Sequence, residues 1–532
     1  MAAGGTWTVQ NKVRPGIYFK FRSKNQQNLT VGDRGKVTIC EPISWGPVGK
    51  VMEIAAGEDL TPYTGYDITD VHNRFASMIF SGSNRTAAPT KLLLYRPAAA
   101  DSAKATGTIA PLTATAKYPG SRGNDIVVIV TALTEPVGSF QVSTVVDGGV
   151  KDQQTGKTVA DLTGNNWVDF SGTGTLAANV GTQLSGGKDG EVNSAAYSTY
   201  LTNIEPYNFD SMLYDGEDAT VKTAMETFIK RVNTEVGRFS QLVEANATNP
   251  DTRFIVNVCS GLVMNDGTTL TPKEAVWWVG GALSGATYAN DLTNATVPNA
   301  VDISPKMTHN QYVDAINAGK FVFNADDGTV RVEYDINSLV TYTSEIGEVY
   351  RYNRTMRLCN TIANDLYKQF AQSYVGIVDN TEDGRRQYKS AIVKYLDQIQ
   401  ASGGIQNFDG ETDVIVEAGE AKDAVLITLA IEAVGSYNRT MRLCNTIAND
   451  LYKQFAQSYV GIVDNTEDGR RQYKSAIVKY LDQIQASGGI QNFDGETDVI
   501  VEAGEAKDAV LITLAIEAVG STNKIYITLD VA

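Results

Sequence analysis

Histidine, cysteine and positive charge are scarce in this sequence, and each scarcity closes a class of function. Only two histidines, His72 and His309, occur in 532 residues, far apart and each in a polar neighbourhood. A serine or cysteine hydrolase needs an imidazole beside its nucleophile, and no G-x-S-x-G or comparable motif is present. The four cysteines, Cys40, Cys259, Cys359 and Cys444, form no CxxC and no closely spaced framework, which points to buried free thiols rather than disulfides or zinc. Lys and Arg number 45 against 61 Asp and Glu, a formal charge of −16, with no basic run to grip a polyanion. Neither nucleic acid nor an anionic lipid surface is therefore expected as a partner.

Long apolar runs are also missing. No stretch approaches the roughly 20 apolar residues that span a bilayer, and the first residues lack the basic start and apolar core of a signal peptide. The expectation is a chain that folds in a cytosol and does not insert into membranes.

Motifs for cofactors fail on inspection. There is no G-x-x-x-x-G-K-[S/T], so a P-loop is excluded. Gly172-Thr-Gly174-Thr-Leu-Ala177 fits the letters of a dinucleotide fingerprint, but it lies in a Thr/Gly-rich β-like stretch with no clear helix after it, so a turn is expected. Asp379 to Gly384 resembles the start of an EF-hand, yet Thr381 and Ser390 stand where hard oxygen ligands are needed. Capping of a helix by Asn380 or Thr381 accounts for that acidic cluster better. No catalytic residue, cofactor or metal is expected.

What is present is a globular chain, 42% apolar and 20% charged, long enough for about three or four domains. The run Gly16-Ile-Tyr-Phe-Lys-Phe21 alternates like a strand but has few local partners. "GKVTICEP" and "KLLLYRP" read as short strands around a loop and helix at 62–80. From 98 to 190 the composition shifts to Ala, Thr, Gly, Val and Ser, with "NDIVVIVTAL", "SFQVSTVVDG" and "NWVDFSG" as strands of a β-rich insert. Strand and helix then alternate: "FDSMLYDG", "ATVKTAMETFIKRVNTEV", "RFIVNVCSG", and a helix opened by Pro272 in "TPKEAVWWVGGALSGATY". Segments 28–97 and 191–328 thus form one α/β unit.

After the Asp327-Gly328 turn, "TVRVEYDINSLV" reads as a strand opening a C-terminal domain, 329–436. Met356, Cys359, Ile362, Leu366, Phe370 and Tyr374 mark the apolar stripe of one helix, and Arg385 to Ser402 a second helix stopped by Gly403-Gly404. "TDVIVEAG" and "AVLITLAIEAV" read as two strands. The block Tyr352–Ser436 then recurs as Tyr437–Ser521, 85 residues without one substitution. Natural repeats keep a core pattern while their surfaces drift, so the second copy is recent, engineered or an error in the sequence. The chain ends on a last alternating strand, Ile525, Tyr526, Ile527, Thr528, Leu529, Asp530 and Val531, within an arm at 522–532.

"RPGIYFKF" (14–21), "PISWGPVGKV" (42–51), "KYPGSRGNDI" (117–126), "LSGGKDG" (184–190), "VEYDINSLVTYT" (332–343) and "DGRRQYKSAIVKYLDQIQASGGIQNF" (383–408), in this order, resemble the tail sheath proteins of contractile phage tails. The version is that of Gram-positive myophages and phage-tail-like bacteriocins. The resemblance implies a non-enzymatic subunit of a virion tail or tail-like particle, assembled in the bacterial host cytoplasm. It implies helical polymerisation of the chain with itself around a tail tube protein, with baseplate and tail terminator proteins as further partners, and contraction that drives the tube through a cell envelope. It further implies that the arms donate strands to a neighbour's C-terminal sheet. Carried onto this sequence, those strands are Gly16, Ile17, Tyr18, Phe19, Lys20 and Phe21 within the 1–27 arm, and Ile525–Val531 at the other end. The fold class expected is multidomain α+β or α/β: an α/β core, a β-rich insert, and a C-terminal α+β domain completed by neighbours. A self-assembling surface or adhesion protein would share the lack of catalysis but should carry an export signal.

Overall fold

A computed structural model describes residues 3–6, 16–19, 34–343, 346–373, 377–419, 424–434, 466–486, 490–503, 510–515 and 517–518. Its centre is a seven-stranded sheet in the order Lys320–Phe321, Ile255–Val258, Gln241–Ala245, Ser211–Tyr214, Lys36–Cys40, Lys91–Tyr95, Val51–Ala55. Neighbours run parallel except for the last pair, in which Val51–Ala55 lies antiparallel to Lys91–Tyr95.

The continuous apolar runs of these strands follow from burial on both faces, because successive side chains point to opposite sides. Val37, Ile39, Leu92 and Leu94 face one core, formed with Phe75 and Ile79 of the helix Arg74–Ile79 and Trp278 of the helix Pro272–Gly285. Cys40, Leu93, Tyr95 and Met212 face the other, formed with Tyr200 of Ser194–Ile204 and Met225 and Phe228 of Ala219–Arg231. Pro272 stands in the first turn of its helix as expected, with Thr271 and Glu274 forming a reciprocal capping box. Gly281 lets that helix lie close against the end of Arg74–Ile79: a Cβ there would meet the Ile79 carbonyl oxygen at 2.1 Å.

The insert is a β-sandwich. One sheet orders Gly149–Gly156, Phe140–Val146, Ile126–Ala132 and Asn179–Gln183, and the other Val168–Ser171, Leu112–Ala116 and Thr106–Ile109. Its entry and exit strands are zipped by the bridges Ala100↔Glu191, Ala103↔Lys188 and Thr106↔Ser185. Trp45 reaches from the central unit into the sandwich core, 5.0 Å from the Trp167 ring and edge-on to Tyr118. Arg122 closes the joint from the other side: Nε donates to the Gly65 carbonyl, and the guanidinium covers the Tyr66 ring at 4.0 Å.

The strand expected through 340 is shorter. Thr329–Val332 pairs with Phe323–Asp326 across the Asp327-Gly328 turn, and both belong to the central core. The following residues leave the ladder because Asp335, Asn337 and Ser338, all buried, make long-range bonds instead of alternating.

In the first block, the helix Asn353–Ser373 packs beside Glu382–Ala401 and the hairpin Val414–Ala418/Val425–Leu429. Thr381 caps the second helix, its hydroxyl accepting from Gly384 N–H at 3.2 Å. The second block repeats this locally: the helix Glu467–Ala486 packs on the hairpin Val499–Ala503/Val510–Leu514, with Val499 opposite Leu514 as Val414 is opposite Leu429. Tyr395 and Ile399 are fully buried in the first block, whereas their counterparts Tyr480 and Ile484 are half-buried. The chain is thus a mixed α+β multidomain protein with several separate sheets.

Candidate assembly surfaces

The first block is fixed to the central unit by one face of its first helix. Arg357 donates from Nη2 to Asp335 Oδ2 at 2.7 Å and to the Asn290 carbonyl at 2.8 Å. Asp335 also accepts from Leu292 N–H at 3.0 Å and from Asn353 Nδ2 at 2.9 Å. Asn353 Oδ1 accepts from Gln241 Nε2 at 3.0 Å, and Asn364 exchanges two bonds with the Phe239 backbone. Tyr288, from the central unit, enters the block's own apolar core and bonds Ser402 through its hydroxyl. This docking face is polar and buried, so the apolar stripe read from the sequence describes only the opposite side.

The hairpins are the open elements. Among the described residues, Val414–Ala418 and Val425–Leu429 pair only with each other, and so do Val499–Ala503 and Val510–Leu514. Among the described residues each hairpin therefore has two outer edges without a ladder partner, with Ile415, Leu426 and Ile500 exposed on the face away from the helices. A two-stranded sheet is marginal alone, and open edges of this kind are templates for further strands.

The expected arm strands fall mostly at or beyond the limits of the described residues. Gly16–Phe19 is a strand, pairing in parallel with Ala3–Thr6, a strand the sequence reading missed. Lys20, Phe21 and the whole of Ile525–Val531 lie outside the described residues, as do Tyr374 and Cys444.

Chemistry-bearing candidates do not converge. His72 is exposed, bonded to Asp70 at 2.7 Å and stacked on Tyr66, while His309 sits exposed in the first turn of another helix. Gly172 and Gly174 form a left-handed turn in the sandwich, against Pro111, as expected for that stretch. Cys40 is buried and Cys259 and Cys359 half-buried, all three free thiols. Among the described residues no three of His, Cys, Asp and Glu gather as metal ligands, and no helix is long and apolar enough to cross a membrane.

Residues 190–338 match the phage tail sheath protein central domain, and 100–189 the phage tail sheath protein beta-sandwich domain. The phage tail sheath C-terminal domain matches twice, over 345–437 and 435–532. The phage-like element PBSX protein XkdK of Bacillus subtilis (strain 168) is 34% identical over 460 residues, covering 81% of this chain and 97% of that protein. The chain belongs to the contractile phage tail sheath family. The sheath tail protein of Desulfitobacterium hafniense, a crystal structure, superposes with a TM-score of 0.72 at 37% identity, covering 79% of this sheath chain and 97% of the other. That of Listeria innocua gives 0.66 at 29% identity, covering 77% and 94%. These relatives are spanned almost whole while about a fifth of this sheath chain is left over.

Proposed function

We propose that this sheath subunit polymerises helically around a tail tube, and that its contraction drives the tube through a cell envelope. The role is structural and non-enzymatic, and the site of action is a phage tail or tail-like particle assembled in the host cytoplasm. The observation that carries the reading is the C-terminal hairpin, two-stranded among the described residues, in a chain whose N-terminal arm forms a strand that belongs to a separate two-stranded sheet and not to the central one. Strands Gly16–Phe21 and Ile525–Val531 of neighbouring subunits would extend that hairpin. Each added backbone hydrogen bond contributes about 1 kcal/mol net, so two arms hold neighbours together while the rigid bodies slide. Contraction then draws on free energy stored at assembly, and nucleotide is not required. Tube, baseplate and terminator proteins are the further partners of this reading.

One C-terminal block suffices for it. The docking face offers one Asp335, one Tyr288 and one Phe239 backbone, all engaged by the first copy. The second copy is surplus to a functional subunit, and the single-block chain is the working form. The test is removal of residues 1–25: the truncated protein should remain a folded monomer by circular dichroism yet form no regular tubes by negative-stain microscopy. Regular tubes from the truncated chain would refute strand donation at that end.

A further inference from the structure

The central unit begins at Arg34, where the N-terminal arm joins it, and three distant parts of the chain meet at that point. Asp210, just before the strand Ser211–Tyr214, accepts through Oδ2 from Gly35 N–H at 2.9 Å and from Lys36 N–H at 3.0 Å. Its Oδ1 pairs with Arg34 Nη1 at 3.3 Å, and its own N–H donates to the Lys36 carbonyl at 2.8 Å. From the other side, the Gly35 carbonyl accepts from the N–H groups of Thr90 and Lys91 at 2.7 and 3.0 Å and from Thr90 Oγ1 at 3.1 Å. Gly35 has a φ of +112°, and a Cβ there would meet the Thr90 nitrogen at 2.8 Å, so the position needs glycine.

Arg34 turns away from this strand entry and toward the first repeated block. With 12% of its side chain exposed, it donates from Nη1 to Thr361 Oγ1 at 3.4 Å, a contact between residues 327 positions apart. Thr361 is buried and passes its hydroxyl hydrogen to the Arg357 carbonyl at 2.7 Å. Both residues lie on the helix Asn353–Ser373. Leu358, Ile362, Leu366 and Phe370 of that helix share one apolar core with Val416 and Ile427 of the hairpin. A contiguous line of contacts thus runs from the first fixed residue after the arm, through one helix, to the hairpin.

Entry into a strand requires only that its first N–H groups be satisfied, and the Asp210 carboxylate does that alone. The reach of Arg34 into another domain is additional. We propose that Asp210, Arg34 and Thr361 anchor the N-terminal arm in the seam between the central unit and the first block, so that a pull on the arm is delivered to the helix Asn353–Ser373 and on to the hairpin. The pull itself rests on the strand-donation reading above. An arm captured by one neighbour then draws on the same block that receives an arm from another. Subunits are joined block to block through packed contacts, and the sandwich is carried along outside that path.

Trypsin reads the anchor directly, because Lys24 and Arg34 are consecutive cleavage sites with no Lys or Arg between them. Limited digestion of the full chain, with the new N-termini Asn25 and Gly35 followed by mass spectrometry, should show cutting after Lys24 at least about tenfold faster than after Arg34, since cleavage tracks the opened population. Thr361→Val should speed the cut after Arg34 by about three- to tenfold, the worth of one net hydrogen bond. Thr446→Val, the same substitution in the second block, should leave that rate unchanged. Equal rates at Lys24 and Arg34 in the unaltered chain, an unchanged rate in Thr361→Val, or an equal gain in Thr446→Val would each overturn the anchor, and the first comparison decides even where a variant fails to fold. Tubes of Thr361→Val should still form and should come apart, by light scattering, at a lower urea concentration than parent tubes. Equal urea midpoints would overturn the path of force. A parent chain that forms no tubes would refute the assembly reading instead, and the trypsin rates on the free chain would still decide the anchor.

Discussion

Arg357 and Asp335 pair at 2.7 Å with 1% of each side chain exposed, and this contact joins the first repeated block to the central unit. Removing one partner of a sealed ion pair leaves an uncompensated charge, at a cost of about 3–5 kcal/mol. Arg357→Ala should therefore lower the urea midpoint of the chain sharply. Arg442→Ala, the same substitution in the second block, should leave that transition in place, because the one Asp335 is already paired with Arg357. Equal losses from the two variants would show that the copies share the seat.

Gly281→Ala should destabilise the central unit, since the added methyl would meet the Ile79 carbonyl oxygen at 2.1 Å and must push the helix Pro272–Gly285 off its neighbour. Overpacking of this kind costs about 1–3 kcal/mol, read as a lower thermal midpoint with the far-ultraviolet spectrum retained. An unchanged midpoint would contradict the packing described for Trp278 and Phe75.

Deleting residues 98–190 tests the independence of the sandwich. Its ends are zipped together at Ala100↔Glu191, so the central sheet should survive the excision. Trp45, now only 1% exposed, would lose Tyr118 and Trp167 and lie bare. Solubility of the shortened chain should accordingly improve with Trp45→Ser, and helical circular dichroism should persist. Loss of the helical signal would show that the insert is needed for the central fold.

Glu244 gives a pH dependence of definite sign. Burial, and then the neighbouring Glu226 charge, pushes its carboxyl from 4.5 up to about 8. Between those values the unfolded chain releases a proton that the folded chain keeps, so stability falls as pH rises through this window, by at most about 1.4 kcal/mol per pH unit. Glu244→Gln should flatten the fall in urea midpoint between pH 5 and pH 8. A midpoint of the parent chain that rises steadily over the same range would contradict the assignment.

The sequence was legible where burial is simple. Strands Lys36–Cys40 and Lys91–Tyr95 show as apolar runs because helices cover both faces, and Pro272 with its capping box marks a helix start. Thr106–Ile109, Leu112–Ala116 and Asn179–Gln183 escaped individual notice because "TGTI", "LTATA" and "NVGTQ" carry small or polar residues, and Val51–Ala55 because it is an edge strand with Glu53 and Ala55 exposed, which breaks the apolar run. The segment 333–340 was misread as strand because its buried Asp335 and Asn337 are held by residues far along the chain, and no local period reports that. For the same reason the docking face of Asn353–Ser373 was hidden: Asn353, Arg357 and Asn364 look like a solvated helix side until Asp335 and Phe239 are placed against them. In the N-terminal arm Gly16–Phe19 shows in the sequence as a strand, but its partner Ala3–Thr6 does not, because "AGGT" carries only small side chains and no alternation.

Whether one block or two is the working form is open to intact-mass spectrometry of the protein purified from its natural particle. A chain lighter than 57.4 kDa by one 85-residue block is expected. A mass near 57.4 kDa would establish that the particle is built with both copies.

Strand donation between subunits is tested most directly by electron cryomicroscopy of the assembled polymer, at a resolution that traces the backbone. The account predicts that Gly16–Phe21 and Ile525–Val531 of neighbouring subunits run in ladder register along the outer edges of Val414–Ala418 and Val425–Leu429, in both extended and contracted tubes. Arms that stay on their own subunit, or hairpin edges left bare in the tube, would contradict it.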